Sequence, residues 1–515
     1  MIKGILIIDY GSQYTQLIAR RIREIKVYCE IHPFNKISSK LIEKLQPKGF
    51  ILSGGPNSVL NKNSPKLSSI ILKSNIPILG ICYGLQLLSV QKGGNIEKSL
   101  LREYGHTKIK ITNYSKIIPK EWLNKSINVW MSHGDHVSTP PKNFKVLAKS
   151  NNNIIAIIAD ENKKIFGLQF HPEVHHTYLG QKILSNFIFK ICKIKDKWIL
   201  QNFIKRKIKE IKLVVGNNNV ICGLSGGIDS SVVAYLLHKA LGKKLYCIFV
   251  DNGFLRKNEA EEVTNFFKDK FKKNFIKIDA SKIFLNKLKN IYEPEKKRKI
   301  IGKVFIDIFN KEANKIKDVK FLAQGTLYPD VIESVSFFGG PTAKIKSHHN
   351  VGGLPKIMKL KILEPLRELF KDEVREIGKK LNINENLISR HPFPGPGLSI
   401  RIPGVITNEK IKILQNIDYI YINFLKEKKL YNKIWQAFAI LLPIKSVGVM
   451  GDERTYNYCC CLRAVTSVDG MTADFYMFTK DELTLISNRI INSVKGVNRV
   501  IYDFTSKPPG TIEWE

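Results

Sequence analysis

Apolar positions in the first part of the chain alternate between short continuous runs and helix-like stripes. Residues 4–8, 50–52 and 76–81 are apolar throughout, as in strands buried on both faces. Between residues 13 and 25 the apolar positions recur with helical spacing, and a further helix is predicted from Cys82 onward. Such alternation favours an α/β fold with a largely parallel sheet.

The same alternation resumes near residue 198, after a predicted helix over 178–191. A helix over 198–213 leads to a strand over 220–224, a glycine-rich turn, and a helix over 230–241. A strand over 244–250 follows. This order is typical of a second, Rossmann-like unit.

The pattern changes after Arg390. The proline- and glycine-rich run 391–397 excludes a helix interior or a central strand and is interpreted as a structured linker. Helices over 408–428 and 480–493, strand-like runs and a last strand over 499–504 follow it. The sequence therefore predicts two Rossmann-like parallel-sheet α/β domains and a smaller α+β domain, with boundaries at 1–196, 197–390 and 391–515.

Composition is that of a globular protein, but the charge is not. Of 515 residues, 43% are hydrophobic and 25% charged, which excludes global disorder. The 83 Lys and Arg residues outnumber the 45 Asp and Glu residues, giving a formal charge of +38. Nucleic-acid binding is one interpretation. The excess is spread along the chain without a basic block, so we favour a background lysine bias and expect no nucleic-acid partner.

The spacing of the cysteines and the lengths of the apolar runs indicate in which cellular compartment the protein works. The eight cysteines include no CxxC pair, so a zinc site of that type is not expected, and the pattern fits a reducing cytosol. The longest apolar stretches, such as 154–159 and 437–443, are too short to span a bilayer. Asp9 ends the first apolar run too early for a signal peptide. A cytoplasmic protein without membrane contact is expected.

The first candidate for chemistry is Cys82, which has the spacing G-x-C-x-G between a predicted strand and a predicted helix. This is the geometry of a nucleophile elbow, and the helix N-terminus favours the thiolate. Backbone N–H groups of Gly55 and Tyr83 could bind an oxyanion. His171 is a candidate base at a strand end, with Glu173 to orient it. Each alone is weak evidence, since free cysteines are usually buried apolar residues.

Taken together, these residues resemble the class I glutamine amidotransferases over residues 4–192. The resemblance implies attack of Cys82 on the side-chain amide of glutamine, release of ammonia, and hydrolysis of a glutamyl thioester. It also implies residues that hold the glutamine, namely Gln86, Ser132, His133, Gly134 and Asp135.

The second candidate is a glycine-rich loop between a strand and a helix. Its residues are Ser225, Gly226, Gly227, Ile228, Asp229, Ser230 and Ser231. The glycines and the free N–H groups of the helix suit phosphate, and the lysine of a Walker A loop is missing. Capture of pyrophosphate is therefore favoured over γ-phosphoryl transfer. A plain turn with a serine cap is the simpler alternative.

The loop resembles that of the N-type ATP pyrophosphatases, which split ATP into AMP and pyrophosphate. The resemblance implies that the nucleoside lies near Val250, at the end of the next strand. Asp229 and Asp330 are candidate ligands for Mg²⁺, because hard cations prefer oxygen donors. An ordinary surface carboxylate is the alternative for either residue.

Four further segments, 324–334, 346–354, 390–397 and 506–515, resemble the glutamine-hydrolysing GMP synthetase family. The implied reaction is XMP + ATP + glutamine + water → GMP + AMP + pyrophosphate + glutamate. The implied XMP-binding residues are Arg298, Gln436, Arg499, Lys507, Ile512 and Glu513. The resemblance also implies a homodimer through the third domain, where the run Cys459 to Cys461 is more cysteine-rich than the family would suggest.

The segment 337–353 is expected to act as a lid. Glycines near its ends could serve as hinges, and Lys346, His348 and His349 could reach anionic phosphates once it closes. An inert surface insertion is the alternative.

Two other functions remain weaker. A tRNA-modifying pyrophosphatase would explain the charge and the glycine-rich loop, but not the triad or the tail. A non-enzymatic nucleic-acid-binding protein would explain the charge alone.

Overall fold

The computed structural model describes residues 3–335, 360–467, 472–507 and 509–515, with the backbone alone of 99–102 and 333–335. The chain divides into two compact units. The first comprises Met1–Ile199 and Pro329–Lys344, and the second comprises Leu200–Tyr328 and Ile345–Glu515.

The first unit is built on a nine-stranded mixed sheet with the order β2-β1-β3-β4-β9-β8-β7-β5-β6. Its strands are β1 (Ile5–Asp9), β2 (Cys29–Pro33), β3 (Gly49–Leu52), β4 (Ile78–Ile81), β5 (Asn95–Ile111), β6 (Ser126–Thr139), β7 (Lys145–Ser150), β8 (Ile155–Asp160) and β9 (Ile165–Leu168). The five neighbouring strands β2, β1, β3, β4 and β9 are parallel to one another. The pairs β9–β8, β8–β7, β7–β5 and β5–β6 are antiparallel.

Helices cover this sheet with apolar stripes. They are α1 (Thr15–Glu24), α2 (Ser39–Leu45), α3 (Ser69–Lys73), α4 (Tyr83–Gln91) and α5 (Gly180–Ser185), which continues as a π-helical segment over Asn186–Ile191. Ile18, Ala19 and Ile22 of α1 are fully buried, as the helical spacing of apolar residues over 13–25 predicts.

The second unit contains a five-stranded parallel sheet with the order β12-β11-β10-β13-β14. Its strands are β10 (Asn219–Leu224), β11 (Leu245–Asp251), β12 (Phe275–Asp279), β13 (Val319–Ala323) and β14 (Lys361–Leu363). The helices along this part of the chain are α6 (Leu200–Val215), α7 (Ile228–Leu241), α8 (Glu259–Phe271), α9 (Ser281–Lys287), α10 (Pro294–Ala313), α11 (Tyr328–Val335), α12 (Lys371–Lys380) and α13 (Glu385–Ile388). Of these, α11 crosses the division between the units.

A second sheet in the same unit follows the proline-rich run. Its strands are β15 (Gln436–Met450), β16 (Glu453–Thr466), β17 (Asp474–Phe475) and β18 (Val497–Asp503), and the helices of this region are α14 (Asn408–Glu427) and α15 (Lys480–Ser493). β16 pairs antiparallel with β15 and β17, and parallel with β18. The start of α15 is fixed by a capping box, in which Thr479 and Glu482 bond each other's backbone N–H groups.

The fold-class prediction is confirmed as mixed α/β with a C-terminal sheet region. One hydrophobic core joins residues of the parallel sheet, such as Ile221 and Ile248, to Leu414 of α14 and Leu462 of β16. The predicted second and third domains thus share a core, and their boundary stays a prediction. No described helix is long and apolar enough to cross a membrane.

Candidate active sites

Cys82 lies in a sharp turn between β4 and α4. Its φ of 50° and ψ of −106° are unusual for a residue with a side chain. A Cβ added to Gly80 would come within 2.6 Å of the Gly84 backbone, and one added to Gly84 within 2.5 Å of the Leu52 carbonyl oxygen. Both glycines of the G-x-C-x-G spacing are therefore required for the chain to turn this tightly, as a nucleophile elbow requires.

Strand pairing explains why distant residues meet at this turn. β4 and β9 are parallel neighbours, and the Cys82 N–H donates to the Leu168 carbonyl oxygen at 2.7 Å. The chain beyond β9 therefore passes beside the elbow. His171 is held there by its N–H, which donates to the Trp130 carbonyl oxygen at 3.0 Å, and by Thr177 Oγ1, which donates to its carbonyl at 2.7 Å.

His171 and Glu173 form a buried pair. His171 is 3% exposed and Glu173 1%, and Nδ1 of the ring lies 2.7 Å from Oε1 of the carboxylate. Burial by itself lowers the pKa of His171, but the charge of Glu173 and a hydrogen bond with Cys82 outweigh it and hold the pKa well above its usual value. The imidazole is thus favoured in its protonated form beside the cysteine, as in cysteine hydrolases.

One of the residues predicted to hold glutamine contacts Cys82, and two others are bonded to each other. Its Sγ lies 3.6 Å from the Ser132 carbonyl oxygen, and Gln86 Nε2 donates to the Asp135 carbonyl oxygen at 2.8 Å. Beside Gly134 there is open space, because the nearest atom to an added Cβ is Tyr104 Oη at 3.9 Å. The structure therefore brings this predicted set together at one edge of the sheet.

The two predicted oxyanion donors also lie at the elbow. Tyr83 is the first residue of α4, where backbone N–H groups lack intrahelical partners. A Cβ on Gly55 would lie 2.8 Å from the Tyr10 carbonyl oxygen and 3.3 Å from the Tyr83 ring. A side chain at position 55 would therefore collide with the Tyr10 backbone, so glycine is required there.

Sequence reasoning missed three side chains around this site. Gln169, fully buried, has Nε2 3.8 Å from Cys82 Sγ, and its place two residues before His171 was a usable signal. Tyr14 meets the His171 ring edge-on at 5.0 Å. Glu103, 3% exposed, lies 3.3 Å from His133 Nε2 and accepts hydrogen bonds from two further side chains, but its sequence position gave no signal.

The glycine-rich loop of the second unit is shaped for an anion. It runs from β10 into the long helix α7, and its backbone reverses at Gly226, whose φ is +77°. Ser230 Oγ accepts from the Ser225 N–H at 3.2 Å, and Ser231 Oγ donates to the Gly227 carbonyl oxygen at 2.7 Å. The first N–H groups of α7 lack intrahelical partners, as at the start of any helix, which suits phosphate oxygens.

A cation missed from the sequence completes this loop. Lys371, at the start of α12, has Nζ 3.6 Å from Asp229 Oδ2. A lysine at a helix start is common on surfaces, which is why its sequence position gave no signal. Val250 lies in β11, which is the parallel neighbour of β10, and is 5% exposed. The loop, one lysine and the edge of β11 therefore face the same end of the sheet.

Asp229 fits a magnesium ligand in part. Its Oδ1 is buried and has no hydrogen-bond partner among the described residues. The described residues contain no group of three metal-ligating side chains. A single carboxylate oxygen such as this one is a possible ligand for Mg²⁺, which usually takes one or two carboxylates and completes its shell with phosphates and water. Asp330 lies in α11, in the first unit by the division above, whereas Asp229 lies in the second.

Four of the predicted XMP-binding residues lie near one another in the second unit, namely Arg298, Gln436, Ile512 and Glu513. Gln436 Nε2 donates to Glu513 Oε1 at 2.6 Å, and the Arg298 guanidinium donates to the backbone carbonyl of Glu515. Ile512 is 9% exposed and packs in a small apolar cluster with Phe438.

The remaining predicted residues are placed differently. Arg499 Nε lies 3.3 Å from Ser446 Oγ, and Lys507 pairs through its backbone with Ala473. The predicted lid, with Lys346, His348 and His349, lies outside the described residues.

Fold and geometry define a class: a cysteine-dependent amidotransferase unit joined to a nucleotide-binding α/β unit. Family models agree along the chain. "Glutamine amidotransferase class-I" matches residues 6–191, "NAD synthase" matches 198–303, and "GMP synthase C terminal domain" matches 423–514.

Curated relatives match the whole chain. Proteins named "GMP synthase [glutamine-hydrolyzing]" include one from Brachyspira hyodysenteriae, 56% identical over 514 residues, which cover 100% of this chain and 99% of that one. Those of Bradyrhizobium diazoefficiens and Agrobacterium fabrum are each 54% identical, covering 99% of this chain and 93% and 98% of theirs. The chain belongs to the glutamine-hydrolysing GMP synthase family.

Proposed function

We propose that this chain converts XMP to GMP, with ammonia taken from glutamine and with ATP cleaved to AMP and pyrophosphate. The observation that carries the proposal is the presence of a preformed Cys82–His171–Glu173 site and a phosphate-shaped loop in one chain. Either site by itself could belong to an enzyme that lacks the other. Together they supply the two things an amination needs, a nitrogen nucleophile and an activated oxygen.

Glutamine hydrolysis follows from the geometry around Cys82. Sγ attacks the amide carbonyl carbon, and the negative charge on oxygen is stabilised by the N–H groups of Gly55 and Tyr83. His171 gives its proton to the departing nitrogen, so ammonia leaves and a thioester remains. Water, deprotonated by His171, then releases glutamate. Glu173 keeps the ring oriented through both steps, and it favours the protonated ring before Sγ attacks and again after the ring has taken the proton of water.

The amination uses the second unit. The backbone N–H groups at the start of α7 and the ammonium of Lys371 hold the β- and γ-phosphates of ATP. An oxygen of the XMP base attacks the α-phosphorus, and pyrophosphate leaves. Ammonia then displaces AMP from the adenylate to give GMP. Mg²⁺, held in part by Asp229, would offset the charge of the leaving pyrophosphate.

A homodimer formed by the C-terminal sheet is part of the proposal. Val447 and Tyr456 are cross-strand neighbours on β15 and β16, and they are 47% and 65% exposed. Three further exposed apolar residues lie on β15, namely Ile444, Val449 and Met450. Exposed apolar surface of this kind commonly marks a protein interface. A cytoplasmic setting is supported by eight free cysteines.

Two measurements test the function. Pyrophosphate release that depends on XMP, together with GMP formation, is expected from the purified chain. Strong, salt-dependent RNA binding without XMP-dependent pyrophosphate release would instead favour a tRNA-modifying enzyme.

Cys82→Ala should abolish synthesis from glutamine and preserve synthesis from high ammonium chloride. Loss of both in a folded variant would contradict the assignment of two separate sites.

A further inference from the structure

The last residues of the chain are held by cations that water does not reach. Arg401 and Lys297 are 0% exposed and Arg463 1%. Arg463 donates to the Thr511 and Ile512 carbonyl oxygens at 2.8 and 2.9 Å. Buried charges are unfavourable unless they are fully paired, so this tail has one strongly preferred position.

Arg401 differs from the other two in what it contacts. Its Nη2 and Nε lie 2.8 and 3.1 Å from Oε1 and Oε2 of Glu513, which is a two-point contact. The guanidinium lies 4.2 Å from the centre of the Phe438 ring, and Nη1 is 3.9 Å from Asp418. The planar guanidinium is thus placed by Glu513, Phe438 and Asp418, and it fixes both the position and the rotation of the Glu513 carboxylate.

This contact leaves acceptor capacity on Glu513. The carboxylate has about four lone-pair sites. Among the described residues, Arg401 donates to both oxygens and Gln436 donates to Oε1. Oε2 therefore keeps one site for a further donor. The side chain is 19% exposed, so that donor can come from a ligand.

We propose that Arg401 is a positioning residue that presents Glu513 to a hydroxyl or N–H donor of the nucleotide substrate. The inference rests on the proposed function, because it takes Glu513 as a contact of XMP. Arg401 is too deeply buried to touch the ligand itself. It acts by holding the carboxylate at a fixed angle beside Gln436, so that the nucleotide meets a preformed acceptor.

Arg401→Lys tests this, because lysine keeps the charge but cannot form the two-point contact. We expect the KM for XMP in pyrophosphate release to rise at least tenfold, with the KM for ATP changed less than twofold. Arg463→Lys is the matched control, since it is equally buried and holds the same tail through backbone carbonyls. It should change the KM for XMP less than threefold.

A double-variant cycle separates positioning from general support of the fold. If Arg401 acts through Glu513, adding Arg401→Lys to Glu513→Gln should leave the KM for XMP within twofold of Glu513→Gln alone. Multiplying effects would overturn the inference, as would an unchanged KM for XMP in folded Arg401→Lys. Should Arg401→Lys not fold, Glu513→Asp keeps both charges and withdraws the carboxylate, and an unchanged KM for XMP would again overturn it.

Pyrophosphate release by the wild-type enzyme distinguishes a failure of the proposed function from a failure of the positioning role of Arg401. If it shows no XMP-dependent pyrophosphate release, the proposed function is wrong, and the inference falls with it. If it releases pyrophosphate with XMP and the variants behave as a structural role requires, only the positioning role of Arg401 is wrong.

Discussion

The Glu173 carboxylate lies 2.7 Å from Nδ1 of His171, and neither residue is more than 3% exposed. In a site this dry, the charge of the carboxylate has a larger effect than it would in water. It offsets the burial that would otherwise keep the imidazole neutral, and it raises the pKa of His171 well above its usual value. The pair therefore prepares an imidazolium next to Cys82 before any substrate binds.

Glu173→Gln should preserve the hydrogen-bonded shape and remove the charge. The pKa of His171 should then fall, because burial remains as the main influence. We expect glutamine-dependent synthesis to drop by roughly 10²-fold or more. The alkaline limb of its pH profile should move to lower pH, since the imidazolium is lost earlier as pH rises.

Ammonium-dependent synthesis is the control for this variant and should stay within twofold of wild type. A glutamine pH profile that keeps its alkaline limb in place would contradict the electrostatic role of Glu173 and leave it an orienting role only.

Gly84→Ala tests the packing of the elbow. The added Cβ would lie 2.5 Å from the Leu52 carbonyl oxygen, so α4 and β3 must move apart. We expect the free energy of unfolding to fall by about 1–3 kcal/mol, measured by urea denaturation. Glutaminase activity should fall as well, because the same shift displaces Cys82.

Gly302→Ala is the matched control, because Gly302 also lies in a helix, α10, but no atom lies within 4 Å of an added Cβ. Alanine there should raise the free energy of unfolding by about 0.5–1 kcal/mol. A free energy of unfolding for Gly84→Ala that is no lower than that of the wild type would show that the elbow tolerates a methyl group.

Asp229→Asn addresses the pyrophosphate loop. The variant keeps the size of the side chain but loses the charge near Lys371 and the oxygen donor suited to Mg²⁺. Synthesis from glutamine and from ammonium should fall together by roughly 10²-fold, whereas basal glutamine hydrolysis should persist.

Asp279→Asn, at the end of β12 in the same sheet, should stay within twofold of wild type in pyrophosphate release. A Mg²⁺ titration of both variants adds a second measurement. If Asp229→Asn kept normal AMP production at every Mg²⁺ concentration, the assignment of the loop would be wrong.

Local patterns predicted the elements around the sites well. The helix predicted over 480–493 is α15, because Thr479 and Glu482 form a capping box that defines its first turn. The Cys82 elbow was also predictable, because its two glycines and its place between strand and helix are visible in the sequence.

Contacts between distant segments were not predictable from local patterns. Arg401 and Glu513 are far apart in the chain, and their pairing depends on how the C-terminal sheet packs. Glu103 lies in a strand with nothing in its spacing to mark it as the partner of His133. The shared core that joins Ile221 to Leu414 likewise depends on tertiary packing, which the linker-like run 391–397 does not reveal.

His391, within that run, should make the fold sensitive to acid. Its ring stacks on Tyr431 at 3.8 Å, Nδ1 accepts from the Ala437 N–H at 3.2 Å, and Nε2 lies 2.8 Å from the Tyr431 carbonyl oxygen. Both nitrogens are therefore used by the neutral form, with its proton on Nε2. Burial, aided by the nearby charge of Arg256, lowers the pKa of His391 to about 4.

The folded state therefore binds this proton more weakly than the unfolded state, whose histidine has a pKa of about 6.5. The stabilising contribution is present above pH 6.5 and is lost as pH falls toward 4. Because of this pKa difference, the free energy of unfolding should fall by about 2 kcal/mol between about pH 8 and pH 5, as measured by urea denaturation. His391→Gln cannot titrate and should be less stable at neutral pH, with a pH dependence flatter by that amount. If both proteins lost stability in parallel over this range, the acid sensitivity would belong to other groups.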